Sequence, residues 1–463
     1  MEQIKQKIVQ SLEDMKRANL KKAAALTDKV SITDYRHLLY PGTHEGKSVS
    51  VWTTAFNTAL REHEIVEIPA STEPYYIDSS IIVPSNRHIF AETGAVIRQM
   101  KDVRLLLLRN EHVHDGTHSP ISGEDKDYNI SITGGRWEES YTQRVGYGAS
   151  GMVTENPQDF WGVGTCMLFN NITNLALSDV TFSHAAGFAI QVGNIENAVF
   201  EGIKFEGCFG DGIHVNGNTE NILIRNVEGE VGDDLVALNM YDWQDSSVTF
   251  GPMNNVLCEH LNQYESSHYK ALRILPGIYR YDDGTTVDCS INNLIVRDVQ
   301  GIRTFKMYLQ TPRYDLGTQP EWGAVGSGDN IFFENISIDL VAPADAMPVY
   351  LQSDPIRGYF GAFEINSNLG TVTLENIDIT LHTDRFPLSR LVCFGPKSQQ
   401  YQNSEIFDPY FSSVTQKLIL KNVTVNGKTD YPISDLLHEV SFADVNHDGN
   451  STGSGKVLNI EVI

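Results

Sequence analysis

Asn197-Ala-Val-Phe-Glu-Gly-Ile-Lys-Phe205 is followed 24 residues on by Asn221-Ile-Leu-Ile-Arg-Asn-Val227. The same grammar returns at Asn255-Val-Leu-Cys-Glu-His-Leu261, Asn293-Leu-Ile-Val-Arg-Asp-Val299 and Asn330-Ile-Phe-Phe-Glu-Asn-Ile336. Weaker copies start at Asn129, Asn174, Thr371 and Lys417. Each copy is a short apolar alternation closed by Asp, Asn, Gly or His and then Val, Ile or Leu. The shortest steps are 23 and 24 residues, and others lengthen to 34, 38, 37, 41 and 46. A two-residue alternation means strands, and a unit this short cannot bury its own apolar face, so neighbours must stack. The pattern predicts an all-β fold: a right-handed parallel β-helix, a solenoid with one repeat per coil. A short N-terminal helical segment and a capping helix precede it.

Between the copies a second strand is expected: Phe188–Val192, Gly212–Asn216, Leu235–Asn239, Ala271–Leu275, Lys306–Gln310 and Pro348–Gln352. The extra residues of the longer repeats follow it, at about 240–252, 277–289, 312–328, 353–368 and 395–413. Insertions at one register fall on one side of a solenoid and often build its binding face. The chemistry is therefore sought beside this second strand.

Residues 1–29 form an amphipathic helix with Ile4, Ile8, Leu12 and Met15 at helical spacing, docked on the scaffold or used as an oligomer contact. The rest, 30–463, reads as one β-helix domain. Within it, 30–100 is a capping module, with a helix at Trp52–Leu60 and strands at Ile65–Pro69, Tyr75–Asp78, Ser80–Val83 and Gly94–Ile97. The coils occupy about 101–440 and a C-terminal segment fills 441–463. A Gly-, Trp- and Tyr-rich excursion over 133–168 is expected to lean over the site. Self-association, if any, would run through the N-terminal helix or the solenoid ends.

A net charge of −24 argues against nucleic acid or an anionic membrane as a partner, while a local basic patch leaves room for an anionic sugar. The five cysteines, Cys166, Cys208, Cys258, Cys289 and Cys393, lack metal or disulfide spacing and read as small core residues. The N-terminus shows no apolar signal-peptide core, and no apolar run reaches membrane-spanning length. A cytoplasmic location is expected, or a secreted one if an export signal has been removed. Asp444, Asn446, Asp448 and Gly449 open like a calcium loop. Its twelfth position is Gly455 rather than a bidentate glutamate, so a polar turn is expected there. No metal or other cofactor is implied.

Aligning the second strands places Val192, Val215, Leu238, Ile274 and Leu309 in one inward column. Gln191, His214, Ala237, Arg273 and Tyr308 then point outward, since strand side chains alternate. Three residues earlier come Phe188, Asp211, Asp234, Lys270 and Phe305, with Asp233 beside Asp234. Parallel strands stack about 4.8 Å apart, so Asp211, Asp233 and Asp234 should crowd together, with Lys270 and Arg273 one coil beyond. Crowded carboxylates suit glycosidic-bond hydrolysis: one holds a proton for the leaving oxygen while the others activate water. Read singly, Gly210-Asp-Gly212 and Gly232-Asp-Asp234 would be ordinary turns. Stacked in phase beside the long loops, they read as catalytic. Tyr241, Trp243 and Trp161 are candidates to stack on sugar rings, or to pack the loops themselves.

At these residues the chain resembles a family. Ser31-Ile-Thr-Asp-Tyr35, the 52–60 helix and Ile65–Pro69 look like the N-terminus of pectate-lyase-like β-helix proteins. Asp211-Gly-Ile213 and Asp233-Asp-Leu-Val-Ala-Leu238 resemble the polygalacturonase family of glycoside hydrolases. The resemblance implies a carbohydrate-cleaving, inverting hydrolase with Asp233 as general acid, and with Asp211 and Asp234 positioning the water. The family's Gly-His-Gly coil corresponds to Tyr269-Lys-Ala271, so its histidine is absent. Lys306-Met-Tyr308 is the nearest counterpart of its uronate-binding Arg-Ile-Lys. Candidate substrate contacts are thus His214, Lys270, Arg273, Lys306, Tyr308 and Trp243. One alternative is a polysaccharide lyase on a uronate substrate, with Lys270 or Arg273 as base and the aspartates able to hold calcium. Another is a non-catalytic carbohydrate-binding β-helix.

Overall fold

A computed structural model describes residues 1–101, 103, 106–113, 126–143, 165–242, 247–280, 283–308, 323–341, 360–395, 412–439 and 454–463. The described strands of its main sheet pair in parallel from coil to coil, apart from the hairpin Tyr40–His44/Lys47–Val51, and form the expected right-handed β-helix. One column of the interior runs Val192, Val215, Leu238, Ile274, Met307, Ile365 and Phe394, all in register and all buried.

The asparagines that open the repeats have a backbone cause. Asn129, Asn174, Asn197, Asn221, Asn255, Asn293 and Asn330 all have positive φ, where the coil turns between faces. From Asn174 to Asn330 each side-chain amide donates to the Oδ1 of the one before it, at 2.9–3.2 Å. Asn tolerates the left-handed region, and its amide carries both a donor and an acceptor. The ladder therefore satisfies half-buried polar groups while holding the bend.

Helix α1 (Glu2–Ala23) lies along the outside of the face built by the Asn-led repeats. Its Ile8 and Leu12 cover Val199, Leu223, Leu257, Ile295 and Phe332, one residue from each of five coils. Lys5 reaches Glu334 and Glu375 at one end, and Arg225 meets Glu13 nearer the other. The helix is thus docked on its own scaffold. Helix α2 (Thr53–Glu62) buries Ala55, Phe56, Ala59 and Leu60 in the main core, beside the first strands. All five cysteines are buried, and none forms a disulfide among the described residues. No helix among the described residues is long and apolar enough to cross a membrane.

Two expectations need correction. The inward position of the fifth coil is Met307, not Leu309, and the outward column continues from Arg273 to Lys306, not Tyr308. A shift of two residues keeps every side chain on its face, so alternation could not choose between the registers. Tyr308 pairs with Asn366 instead, and Phe305 is a core residue. The next coil supplies Phe360–Asn366 to this sheet, within the stretch expected to be a loop, and sets Glu364 opposite Lys306. Pro348–Gln352 lies outside the described residues. Parts of two of the expected loops are described: Gly277–Arg280, Thr286–Cys289 and Gly323–Val325 form a small antiparallel sheet. Tyr279 from it stacks on Phe250, with ring centroids 3.7 Å apart.

Candidate active site

The site is built from the turns that enter the strands Ile213–Asn216, Val236–Asn239, Ala271–Ile274 and Thr304–Tyr308. Glycines let the turns stack this closely. A Cβ on Gly210 would come within 2.1 Å of the Gly187 carbonyl oxygen, and one on Gly232 within 2.3 Å of that of Phe209. The Asp233 amide donates to the Gly210 carbonyl at 3.2 Å, and the Gly212 amide to that of Asp234 at 2.9 Å. This places Asp211, Asp233 and Asp234 so that one oxygen from each lies within 4.8 Å of the others.

Their environments differ. Asp234 is fully buried and the Asp211 side chain is 5 % exposed, while that of Asp233 is 16 % exposed. Burial, followed by the charge of Asp233, pushes the Asp211 carboxyl above its ordinary range. Burial pushes Asp234 well above it, against the pull of Arg273. Asp211 Oδ1 accepts the Asp234 backbone N–H at 3.2 Å, and its Oδ2 lies 2.7 Å from His214 Nδ1. Among the described residues neither oxygen of Asp234 accepts a hydrogen bond. The Nε of Arg273 is 2.8 Å from Asp234 Oδ2 without hydrogen-bond alignment, and its Nη2 is 3.4 Å from Asp233 Oδ1.

Lys306 shares the outward column with Arg273, and the Tyr269 hydroxyl joins the two. Lys306 Nζ donates to it at 2.5 Å and Arg273 Nη2 at 3.4 Å. Sequence reasoning overlooked Tyr269 as a site residue. The step that pairs Asp234 with Lys270 also pairs Asp233 with Tyr269, so the signal was present. Lys270 turns away from the acids and donates to the Tyr264 carbonyl and to Glu265, at 3.1 and 3.0 Å.

His214 is 1 % exposed and lies under Phe188, whose ring stacks on it at 3.8 Å, so it faces carboxylates rather than the surface. Its Nε2 is 3.2 Å from Asp242 Oδ2. Burial alone would lower its pKa, but the Asp211 and Asp242 contacts outweigh this and raise it to about 9. Asp242 and Glu364 carried no sequence signal of their own, since each follows from a register set by the stack. Tyr241, considered for sugar stacking, is a core residue packed under Gly277, where a Cβ would come within 2.1 Å of its ring. Trp243, Trp161, residues 444–453 and the Tyr308 side chain lie outside the described residues.

The three converging carboxylates could hold a divalent cation, but Arg273 already supplies positive charge between two of them. Glu111, His112 and Asp127 also converge. There Asp127 is occupied by Ser85, Asn110 and both the ring and the amide of His112.

No protein-family model and no curated protein matches the chain. Solved structures do. The hyperthermoactive exopolygalacturonase of Thermotoga maritima is 12 % identical with a TM-score of 0.50, over 89 % of this chain and 96 % of that one. The family 28 exopolygalacturonase of Yersinia enterocolitica is 14 % identical with a TM-score of 0.46, over 94 % and 78 %. The tailspike protein of E. coli bacteriophage HK620 is 14 % identical with a TM-score of 0.50, over 86 % and 67 %. The likeness to the Thermotoga maritima enzyme and to the tailspike protein, each at a TM-score of 0.50, shows the fold alone.

Proposed function

We propose that the chain is a glycoside hydrolase of the polygalacturonase-like type. The observation that carries this reading is the trio Asp211, Asp233 and Asp234: carboxylates within 4.8 Å, two sealed and one open to solvent. Like charges this close cannot all ionise freely, so the trio holds a proton and titrates as a unit. Asp233, the open member, delivers that proton to the leaving oxygen. Asp211 and Asp234 hold the attacking water. As its oxygen bonds the anomeric carbon, its proton passes to Asp211, which restores the count in the trio.

The separation bears on stereochemistry. Inverting enzymes usually space their carboxyls ~6.5–9.5 Å apart and retaining ones ~5–5.5 Å, so distance alone favours a retaining reading. Burial favours inversion. The Asp211 side chain is only 5 % exposed and Asp234 is fully buried, an opening that suits one small water at Asp211 rather than direct attack by either carboxylate on a sugar carbon. NMR of the first-formed product decides, and a retained anomer removes the inverting reading.

The finer reading is an oligosaccharide carrying a uronate. Arg273 and Lys306, bridged by Tyr269, line the site beside the acids, which supports a substrate with its own carboxylate. The lyase reading has less support, because Lys270 is tied to Glu265 and Arg273 to two aspartates. The test is a panel of defined neutral and uronic oligosaccharides with product analysis. New reducing ends without unsaturated product, lost in Asp233→Asn, are expected. Carboxyl-reduced substrates should react poorly if the uronate reading holds.

A further inference from the structure

Asp211 and Asp242 are buried carboxylates on successive coils, and a single imidazole stands between them. Nδ1 of His214 is 2.7 Å from Asp211 Oδ2, and Nε2 is 3.2 Å from Asp242 Oδ2. The neighbours fix this arrangement. Phe188 covers one ring face from the preceding coil, which also contributes Gln191 in register. The following coil places Ala237 in register, and Asn239 donates to Asp242 Oδ2 at 2.8 Å. Asn216 is oriented by the Val248 backbone N–H, which donates to its Oδ1 at 3.1 Å, so its Nδ2 faces His214 Nε2 at 3.2 Å. Nε2 thus meets one donor and one charged acceptor. Nδ1–H to Asp211 is common to both protonation states. At low local dielectric the Asp242 charge outweighs one neutral amide and favours the cation.

We infer that His214 is a positioning residue of the hydrolytic site, which acts through Asp211 without touching substrate and is itself held by Asp242. This rests on the hydrolase reading. The imidazole N–H and the Asp234 backbone N–H bind opposite oxygens of Asp211. Together they fix its plane and favour its ionised form, the form that accepts the proton of water. Among the described residues the charged groups facing the ring are Asp211 from its own coil and Asp242 from the next. Phe188 and Gln191 from the coil before are neutral.

The test compares wild type, His214→Gln and Asp242→Asn on whichever oligosaccharide of the panel wild type cleaves fastest. Removing the imidazolium lets the Asp211 carboxyl rise. The acid-side midpoint of kcat/KM in His214→Gln should therefore move up by about 1–3 pH units. Activity should partly recover at higher pH, with KM unchanged. Asp242→Asn, nearly isosteric, should give a smaller shift in the same direction. A packing role would instead lower the rate by one factor at every pH, and that result overturns the inference while leaving the hydrolase reading. Nitrogen-15 NMR of labelled histidine gives an activity-independent arm, with the His214 signal assigned by its loss in His214→Gln. Both ring nitrogens should be protonated at pH 7, with titration at lower pH in Asp242→Asn. An unprotonated Nδ1 at pH 7 removes the positioning role. A wild type inert on the whole panel overturns the hydrolase reading, and the NMR arm still decides whether His214 is held as described.

Discussion

Arg273 lies against Asp234 with its Nε 2.8 Å from Oδ2, one coil beyond the acid and with that carboxyl sealed from solvent. Even so, the carboxyl stays well above its ordinary range, because burial and the charges of Asp233 and Asp211 outweigh the guanidinium. The pair therefore reduces a cost rather than supplying net stability, as buried ion pairs often do.

Stability should depend on pH at this carboxyl with a definite sign. The folded-state pKa of Asp234 is raised, so its contribution is fully present below the unfolded value and is lost as pH rises through the folded one. His214 adds a loss in the same direction, from near its ordinary value up to about 9. Asp234→Asn mimics the protonated acid. Its thermal midpoint should match wild type near pH 4 and exceed it increasingly toward pH 8, with turnover abolished. A variant less stable than wild type at pH 8 would mean that the Arg273 pairing wins instead.

Asp233 is the acid with access to a leaving oxygen, its side chain 16 % exposed. Losing an acid–base group typically costs ~10²–10⁴-fold in rate, and Asp233→Asn should fall in that range with binding largely kept. The deficit should shrink on aryl glycosides whose leaving groups need little protonation. An equal deficit on both substrate kinds would assign Asp233 to another task.

The fold was legible because its determinants are local and periodic. Asn197, Asn221 and Asn255 recur where the coil bends, and the apolar alternation between them sets the faces. Asp211, Asp233 and Asp234 were legible for the same reason, since their coils lie 23 residues apart without insertion. Legibility fell where insertions broke the step. Lys306 and Tyr308 alternate identically, and only pairing with Arg273 distinguishes them. Glu364 sits past a long insertion, where no period carried the register forward. The Lys270 partner, Glu265, is a surface residue whose role depends on side-chain direction, which spacing does not encode.

Helix α1 should behave as part of the scaffold. Leu12 is fully buried against outward apolar residues of the coils. Buried Leu→Ala substitutions cost ~2–5 kcal/mol, and Leu12→Ala should fall toward the lower end because a surface helix can settle into the gap. Deleting residues 1–23 would bare the stripe from Val199 to Phe332, so self-association by sedimentation is expected. A truncated chain that stays monomeric and equally stable would show that α1 contributes little.

The asparagine ladder should be separable into its two functions. Asn221 has φ of 59° and makes two ladder bonds: it donates to Asn197 Oδ1 at 3.0 Å and accepts from Asn255 at 3.0 Å. Asn221→Ala loses both bonds and forces an alanine into the left-handed region. Each net hydrogen bond is worth about 1 kcal/mol, and the strain about 1–2 kcal/mol. A loss of roughly 3–4 kcal/mol in denaturant unfolding is therefore expected. Asn221→Gly adopts the same φ without a Cβ and should lose only the bonds, roughly 2 kcal/mol, offset by nothing in the folded state and worsened slightly by the freer unfolded chain. Alanine should thus be clearly worse than glycine. Equal losses would mean that the bend is unstrained and the amide stack alone holds the turn, whereas a near-neutral glycine would mean that backbone conformation, not the ladder, is what the repeat asparagines supply.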